Sequence, residues 1–77
     1  MKIKIYGKAN CQYCIKAVSL VTQKNIQFEY LSLGADFDRE ELLEMFPDAK
    51  TFPQIEVLTE VGLEYVGGYT ELVEYLG

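Results

Sequence analysis

The sequence predicts an α/β fold: one mixed four-stranded sheet flanked by three helices, in the order β-α-β-α-β-β-α. Three observations predict it. Short runs alternate apolar and polar residues, as strands with one covered face do. Longer runs repeat apolar residues every three to four positions, as amphipathic helices do. Glycine, proline and asparagine punctuate the boundaries between the two kinds of run. The 77 residues suit a single domain, 1–77, and show no repeat or linker.

Lys2 to Tyr6 alternates lysine with isoleucine and stops at Gly7, which reads as the first strand. Cys11 to Lys24 reads as a helix. Cys14, Ala17, Val18 and Val21 share one face, while Gln12, Lys16, Ser19 and Gln23 share the other. Asn10 suits its N-cap and Asn25 its stop. Gln27 to Leu31 is the second strand, and Leu33 to Phe37 a connection. Asp38 followed by Glu41 has the form of a capping box ahead of Leu42, Leu43, Met45 and Phe46. Pro47 ends that helix, since the residue before proline avoids helical backbone. Pro53 to Leu58 and Leu63 to Val66 are the last two strands, joined by Thr59 to Gly62 at hairpin length. Gly67-Gly68 breaks the chain before a short helix from Tyr69 to Leu76, with Thr70 as its expected cap.

The first two strands, joined through a helix, must run parallel, and the last two form an antiparallel hairpin. This is the thioredoxin-like arrangement, with Cys11-Gln12-Tyr13-Cys14 in its first strand–helix turn. Tyr6, Tyr30, Tyr65 and Tyr75 are expected as core or half-buried packing. Met45 and Phe46 are expected on the buried face of the second helix. The acidic run Asp36, Asp38, Glu40, Glu41, Glu44 and Asp48 reads as a solvated face.

Composition narrows the function. The net charge of −5 argues against nucleic acid and against anionic membranes, both of which need clustered Lys and Arg. No apolar run reaches membrane-spanning length, and the first residues lack the apolar stretch of a signal peptide, so a cytosolic protein is expected. Histidine is absent, which removes the commonest general base and metal ligand. Two cysteines cannot close a four-ligand zinc site within one chain. The loop that Cys11 and Cys14 would close is tiny, so a disulfide there would add little stability.

Placement at the start of a helix favours chemistry. Unpaired N–H groups and the helix dipole stabilise an anion at Cys11, and Lys8 adds a positive charge if the loop folds back. Cys14, one turn further and on the apolar face, should be the more buried thiol. The spacing supplies an exposed nucleophile and a resolving partner. The alternatives are half of an intermolecular zinc site, or two unreactive helix cysteines.

Two further segments are ambiguous on their own. Pro53 either simply opens a strand or is a cis proline that turns the backbone of Phe52 towards a ligand. Gly67-Gly68 is either a turn that needs positive φ, or a close approach to a carboxylate held at a helix N-terminus.

Taken together, Cys11-Gln12-Tyr13-Cys14, Thr51-Phe52-Pro53-Gln54-Ile55 and Gly67-Gly68-Tyr69-Thr70-Glu71-Leu72 make the chain resemble glutaredoxins, most of all the short dithiol members of bacteria and phages. The resemblance covers nearly the whole chain. It implies a glutathione-dependent thiol–disulfide oxidoreductase with glutathione as reducing co-substrate and no resident metal. Cys11 would be the nucleophile and Cys14 the resolving thiol. Lys8 would lie near the glycine carboxylate of glutathione, and Tyr13 would flank the same groove. The Phe52 main chain would pair with its cysteinyl part, Pro53 would be the family's cis proline, Thr51 would belong to the same glutathione site, and Gly68, Thr70 and Glu71 would hold its γ-glutamyl end. Disulfide-bonded or glutathionylated proteins, ribonucleotide reductase among them, are the implied partners of a monomer. Two departures stand out: Glu71 replaces a common Asp, and Gln12 replaces the proline of Cys-Pro-Tyr-Cys. The alternatives are a donor recharged by thioredoxin reductase, which usually lacks the Gly-Gly-Tyr-Thr segment, and a carrier of an iron–sulfur cluster between two chains.

Overall fold

A computed structural model describes residues 1–77. β1 (Lys2–Gly7), α1 (Gln12–Gln23), β2 (Phe28–Ser32), α2 (Arg39–Met45), β3 (Gln54–Thr59), β4 (Gly62–Gly67) and α3 (Tyr69–Leu76) follow in the expected order. The strands form one sheet ordered β2-β1-β3-β4. β1 is central: it runs parallel to β2, with Ile5 opposite Tyr30, and antiparallel to β3, with Ile5 opposite Ile55. β4 returns antiparallel along β3 through a register shift between Ile55 and Glu56. No helix is long and apolar enough to cross a membrane.

The alternation of β1 splits the core into two. Ile3 and Ile5 point to the α1 and α3 side, where they pack with Ala17, Val21, Ile55, Val57 and Leu72, all fully buried. Each isoleucine, valine or leucine among them contributes about 1.5–3 kcal/mol by leaving water. Tyr6 points to the other face, against Phe37, Leu42 and Phe46. Its ring meets Phe37 and Phe46 edge-on, with centroids 5.4 and 5.3 Å away. The Tyr6 hydroxyl donates to Glu56 at 3.1 Å. Burial, followed by the Glu56 charge and that bond, pushes the phenol up to about 12.

Helix boundaries follow local hydrogen bonding. α2 starts with the expected capping box: the Asp38 carboxylate accepts the Glu41 N–H at 2.8 Å, and the Glu41 side chain accepts the Asp38 N–H at 3.1 Å. Asn25 ends α1 in left-handed backbone, at φ 57°. Asn10 is not the N-cap of α1. It also sits left-handed, at φ 56°, and Cys11 takes the cap position. Thr70 likewise does not cap α3; Gly68 does.

α2 has only seven residues, so it covers only part of its side of the sheet. Tyr65 is therefore 56% exposed, and Met45, Tyr30 and Tyr75 are also exposed rather than core. Of the four tyrosines expected as core or half-buried packing, Tyr6 is buried, Tyr30 and Tyr75 keep 36% and 40% of their exposure, and Tyr65 is the most exposed. Phe37, expected in a mere connection, is buried next to an isolated bridge between Leu33 and Phe37.

Candidate active site

The centre of the site is the turn from β1 into α1. Gly7 ends the strand beneath the Tyr30 ring, and a side chain at position 7 would collide with it. Asn10 then turns left-handed and delivers Cys11 to the helix start. The Cys11 sulfur itself caps α1, accepting the Cys14 N–H at 3.2 Å. Gln12 and Tyr13, the first two helical residues, have N–H groups with no partner inside the chain, as expected of a first helical turn. Cys11 and Cys14 are joined as a disulfide, with Cα atoms 5.2 Å apart. Cys14 is fully buried, but Cys11 is only 8% exposed, so the expected contrast between an open and a closed thiol is small in this oxidised form.

Beside this turn runs a groove of about 220 Å³. Tyr13, Thr51, Phe52, Pro53, Gly68, Thr70 and Glu71, seven of the residues singled out in the sequence, line it, and Tyr69 joins them. Tyr13 and Tyr69 face each other with ring centroids 6.0 Å apart, so α1 and α3 each contribute an aromatic wall. Lys8 does not line the groove; its ammonium lies 5.5 Å from the Phe52 ring centroid, at its edge. Cys14 faces instead an apolar hollow with Ile15, Val18 and Tyr30.

The floor of the groove is main chain. The Phe52–Pro53 bond is cis. The Phe52 N–H and carbonyl have no hydrogen-bond partner inside the chain, although they directly precede the sheet strand β3. At the far end, α3 begins with free N–H groups on Tyr69, Thr70 and Glu71. Gly67 adopts φ 121°, and a Cβ there would lie 2.9 Å from Cγ of Glu71. Glycine thus meets both demands at once: the backbone conformation and the space. The carboxylate that approaches is the chain's own: Glu71 Oε1 accepts the Gly68 N–H at 2.8 Å. One Glu71 oxygen is therefore committed to the helix start rather than left wholly to a ligand.

Gln54, quoted in the sequence only as part of a motif, and Tyr65, expected there only as packing, are joined by hydrogen bonds that the sequence does not signal. Gln54 donates through Nε2 to the Thr51 carbonyl at 2.7 Å and accepts at Oε1 from the Tyr65 hydroxyl at 2.6 Å. Burial, followed by the Glu71 and Asp48 charges, raises the Tyr65 phenol above its usual range.

Comparison with known proteins agrees with this geometry. The sequence model of one family, Glutaredoxin, matches residues 3–61. Glutaredoxin 1 of Rickettsia felis is 36% identical over 55 residues, which cover 69% of this chain and 54% of that protein. The Rickettsia conorii protein is 34% identical over the same shares. The chain spans about half the length of the curated relatives it matches. Among solved structures, reduced Escherichia coli glutaredoxin superposes with a TM-score of 0.77 at 26% identity, over 99% of this chain and 93% of that one. Glutaredoxin 1 of Francisella tularensis, solved with cacodylate, gives 0.74 at 26%, over 97% and 91%. A thioredoxin-like sheet, a Cys-x-x-Cys helix cap, and a family match over most of its length agree: this chain belongs to the glutaredoxin family.

Proposed function

We propose that the protein is a glutathione-dependent thiol–disulfide oxidoreductase. One observation carries the reading: an unpaired main-chain donor and acceptor at Phe52 share a groove with the free N–H groups of a helix start, next to the Cys11–Cys14 pair. Glutathione suits that layout. Its cysteinyl unit offers one N–H and one carbonyl to pair with Phe52. Its γ-glutamyl carboxylate suits the start of α3, and its ammonium suits the remaining Glu71 oxygen. Lys8, at the rim, suits the glycine carboxylate.

In this reading Cys11 reacts as a thiolate, stabilised by the Cys14 N–H and by the start of α1. It attacks the glutathione sulfur of a protein–glutathione mixed disulfide. A Cys11–glutathione disulfide forms and the protein thiolate leaves. A second glutathione thiolate then attacks the glutathione sulfur, releasing oxidised glutathione and the Cys11 thiolate. With a protein disulfide, Cys11 forms a mixed disulfide with the protein. Cys14, losing its proton, then attacks Cys11, releases the second protein thiolate and leaves the Cys11–Cys14 disulfide. Two glutathione molecules reduce that bond. Protein disulfides such as that of ribonucleotide reductase are the acceptors we propose, and the cytoplasm is the compartment.

Glutathione-coupled reduction of a small mixed disulfide tests this. Wild type should turn over, Cys11→Ser should be inactive, and Cys14→Ser should keep activity. A wild type idle with glutathione but recharged by thioredoxin reductase would overturn the glutathione reading.

A further inference from the structure

Gln54 is the first residue of β3 and only 4% exposed, yet both ends of its side-chain amide are used. The Thr51 carbonyl is a pure acceptor, so it takes only the NH2 end. That fixes the amide orientation and leaves Oε1 for the Tyr65 hydroxyl. The Nε2–Thr51 bond closes over Phe52 and Pro53, the two residues it encloses. Phe52 is the residue whose main chain is left unpaired towards the groove. Tyr65 anchors the other end from β4, with its ring 5.2 Å from that of Phe46. A three-member chain thus runs from an exposed tyrosine, through a buried amide, to the main chain under the groove.

A buried amide costs desolvation that an apolar residue of the same size would avoid. Here that cost is offset by bonds whose far end is the main chain of the groove. We infer that Gln54 is a positioning residue for the glutathione groove, holding the Thr51 carbonyl inward so that the Phe52 main chain faces the substrate, with Tyr65 fixing the amide from behind. Gln54 itself touches no substrate. The inference rests on the glutathione reading above and names what sets affinity for the cysteinyl unit.

Two variants test it. Gln54→Met keeps the volume and removes both bonds. Tyr65→Phe removes only the outer one, at an exposed position. Steady-state kinetics with a glutathionylated peptide should show KM rising about five- to tenfold for Gln54→Met, the size of one net hydrogen bond, and about twofold for Tyr65→Phe. kcat should stay within about twofold. The pH profile of Cys11 alkylation should not move, and neither should the rate at which the reduced protein attacks an aromatic disulfide that lacks glutathione. An unchanged KM in folded Gln54→Met overturns the inference, as does equal slowing on the glutathione-free disulfide. Should Gln54→Met not fold, Tyr65→Phe decides alone, and an unchanged KM there overturns it. A wild type that treats both substrates alike fails differently: it removes the glutathione reading itself, and the inference with it.

Discussion

Two helices begin at this site, and they begin in opposite ways. α1 is capped by the sulfur of Cys11, which accepts the Cys14 N–H. α3 is capped at Gly68, which has no side chain, and Glu71 reaches back from one turn inside to take the Gly68 N–H. At the first helix the reactive atom is itself the cap, so the groups that stabilise the helix start also stabilise a sulfur anion. At the second the cap is a carboxylate supplied from within, and the remaining N–H groups have no partner inside the chain. In the function proposed above, one helix start activates an atom of the protein, and the other receives an atom of the substrate.

That contrast sets the order of expected effects. The largest falls at α1. Cys11→Ser replaces the thiolate by a hydroxyl that stays protonated at neutral pH, and turnover should fall by about a thousandfold or more. The serine still caps the helix, so the melting temperature should hardly change. Loss of activity together with a large drop in melting temperature would mean the residue is needed for the fold as well. Next comes Gly67→Ala, which forces φ 121° on a residue with a Cβ and crowds Glu71. Stability should drop by about 1–3 kcal/mol, seen as a lower denaturation midpoint, with weaker glutathione binding alongside.

Smaller still is Glu71→Gln. It keeps an oxygen for the Gly68 N–H and removes the charge. KM for glutathione should rise about threefold to tenfold, the size of a charge-assisted bond made neutral, while Cys11 alkylation is untouched. The same variant has a spectroscopic signature. Burial raises the Tyr65 phenol first, and the Glu71 charge adds to it. Removing that charge should bring the Tyr65 titration to lower pH, and an unmoved curve would mean that Glu71 does not act there. The sign for stability follows: a phenol raised in the fold favours its neutral form. Its contribution is complete below the ordinary phenol value near ~10 and is lost as pH climbs through the raised value.

The sequence placed the start of α3 at Tyr69 and marked the reactive pair at the start of α1, but it named the cap of neither helix, for a physical reason. Cys-x-x-Cys at a strand–helix turn marks the sulfur of α1 by residue type, and Asp38 with Glu41 spells the capping box of α2 outright. At α3 the cap is a glycine, so half of the box has no letter, and Thr70 was the natural candidate. Asn10 misled similarly: asparagine favours both caps and left-handed backbone, and here the second preference prevailed. The groove lining was legible because three motifs in order carry it. The hydrogen bonds of Gln54 and Tyr65 were not, since alternation along a strand tells which face a residue is on and not what it bonds there. With α2 only seven residues long, Tyr65 stays exposed and Gln54 is left to bond inward.

The unpaired main chain of Phe52 has a consequence for what the site can discriminate. A donor and acceptor belonging to the backbone read the backbone of whatever lies against them. They are blind to side-chain identity on both partners: Phe52 is free to vary without removing the pair, and any cysteine held in an extended peptide matches it equally well. In the glutathione reading proposed above, selectivity for one tripeptide over the many cysteine-containing segments of a cell comes from the two ends of the groove, where charge and length are measured.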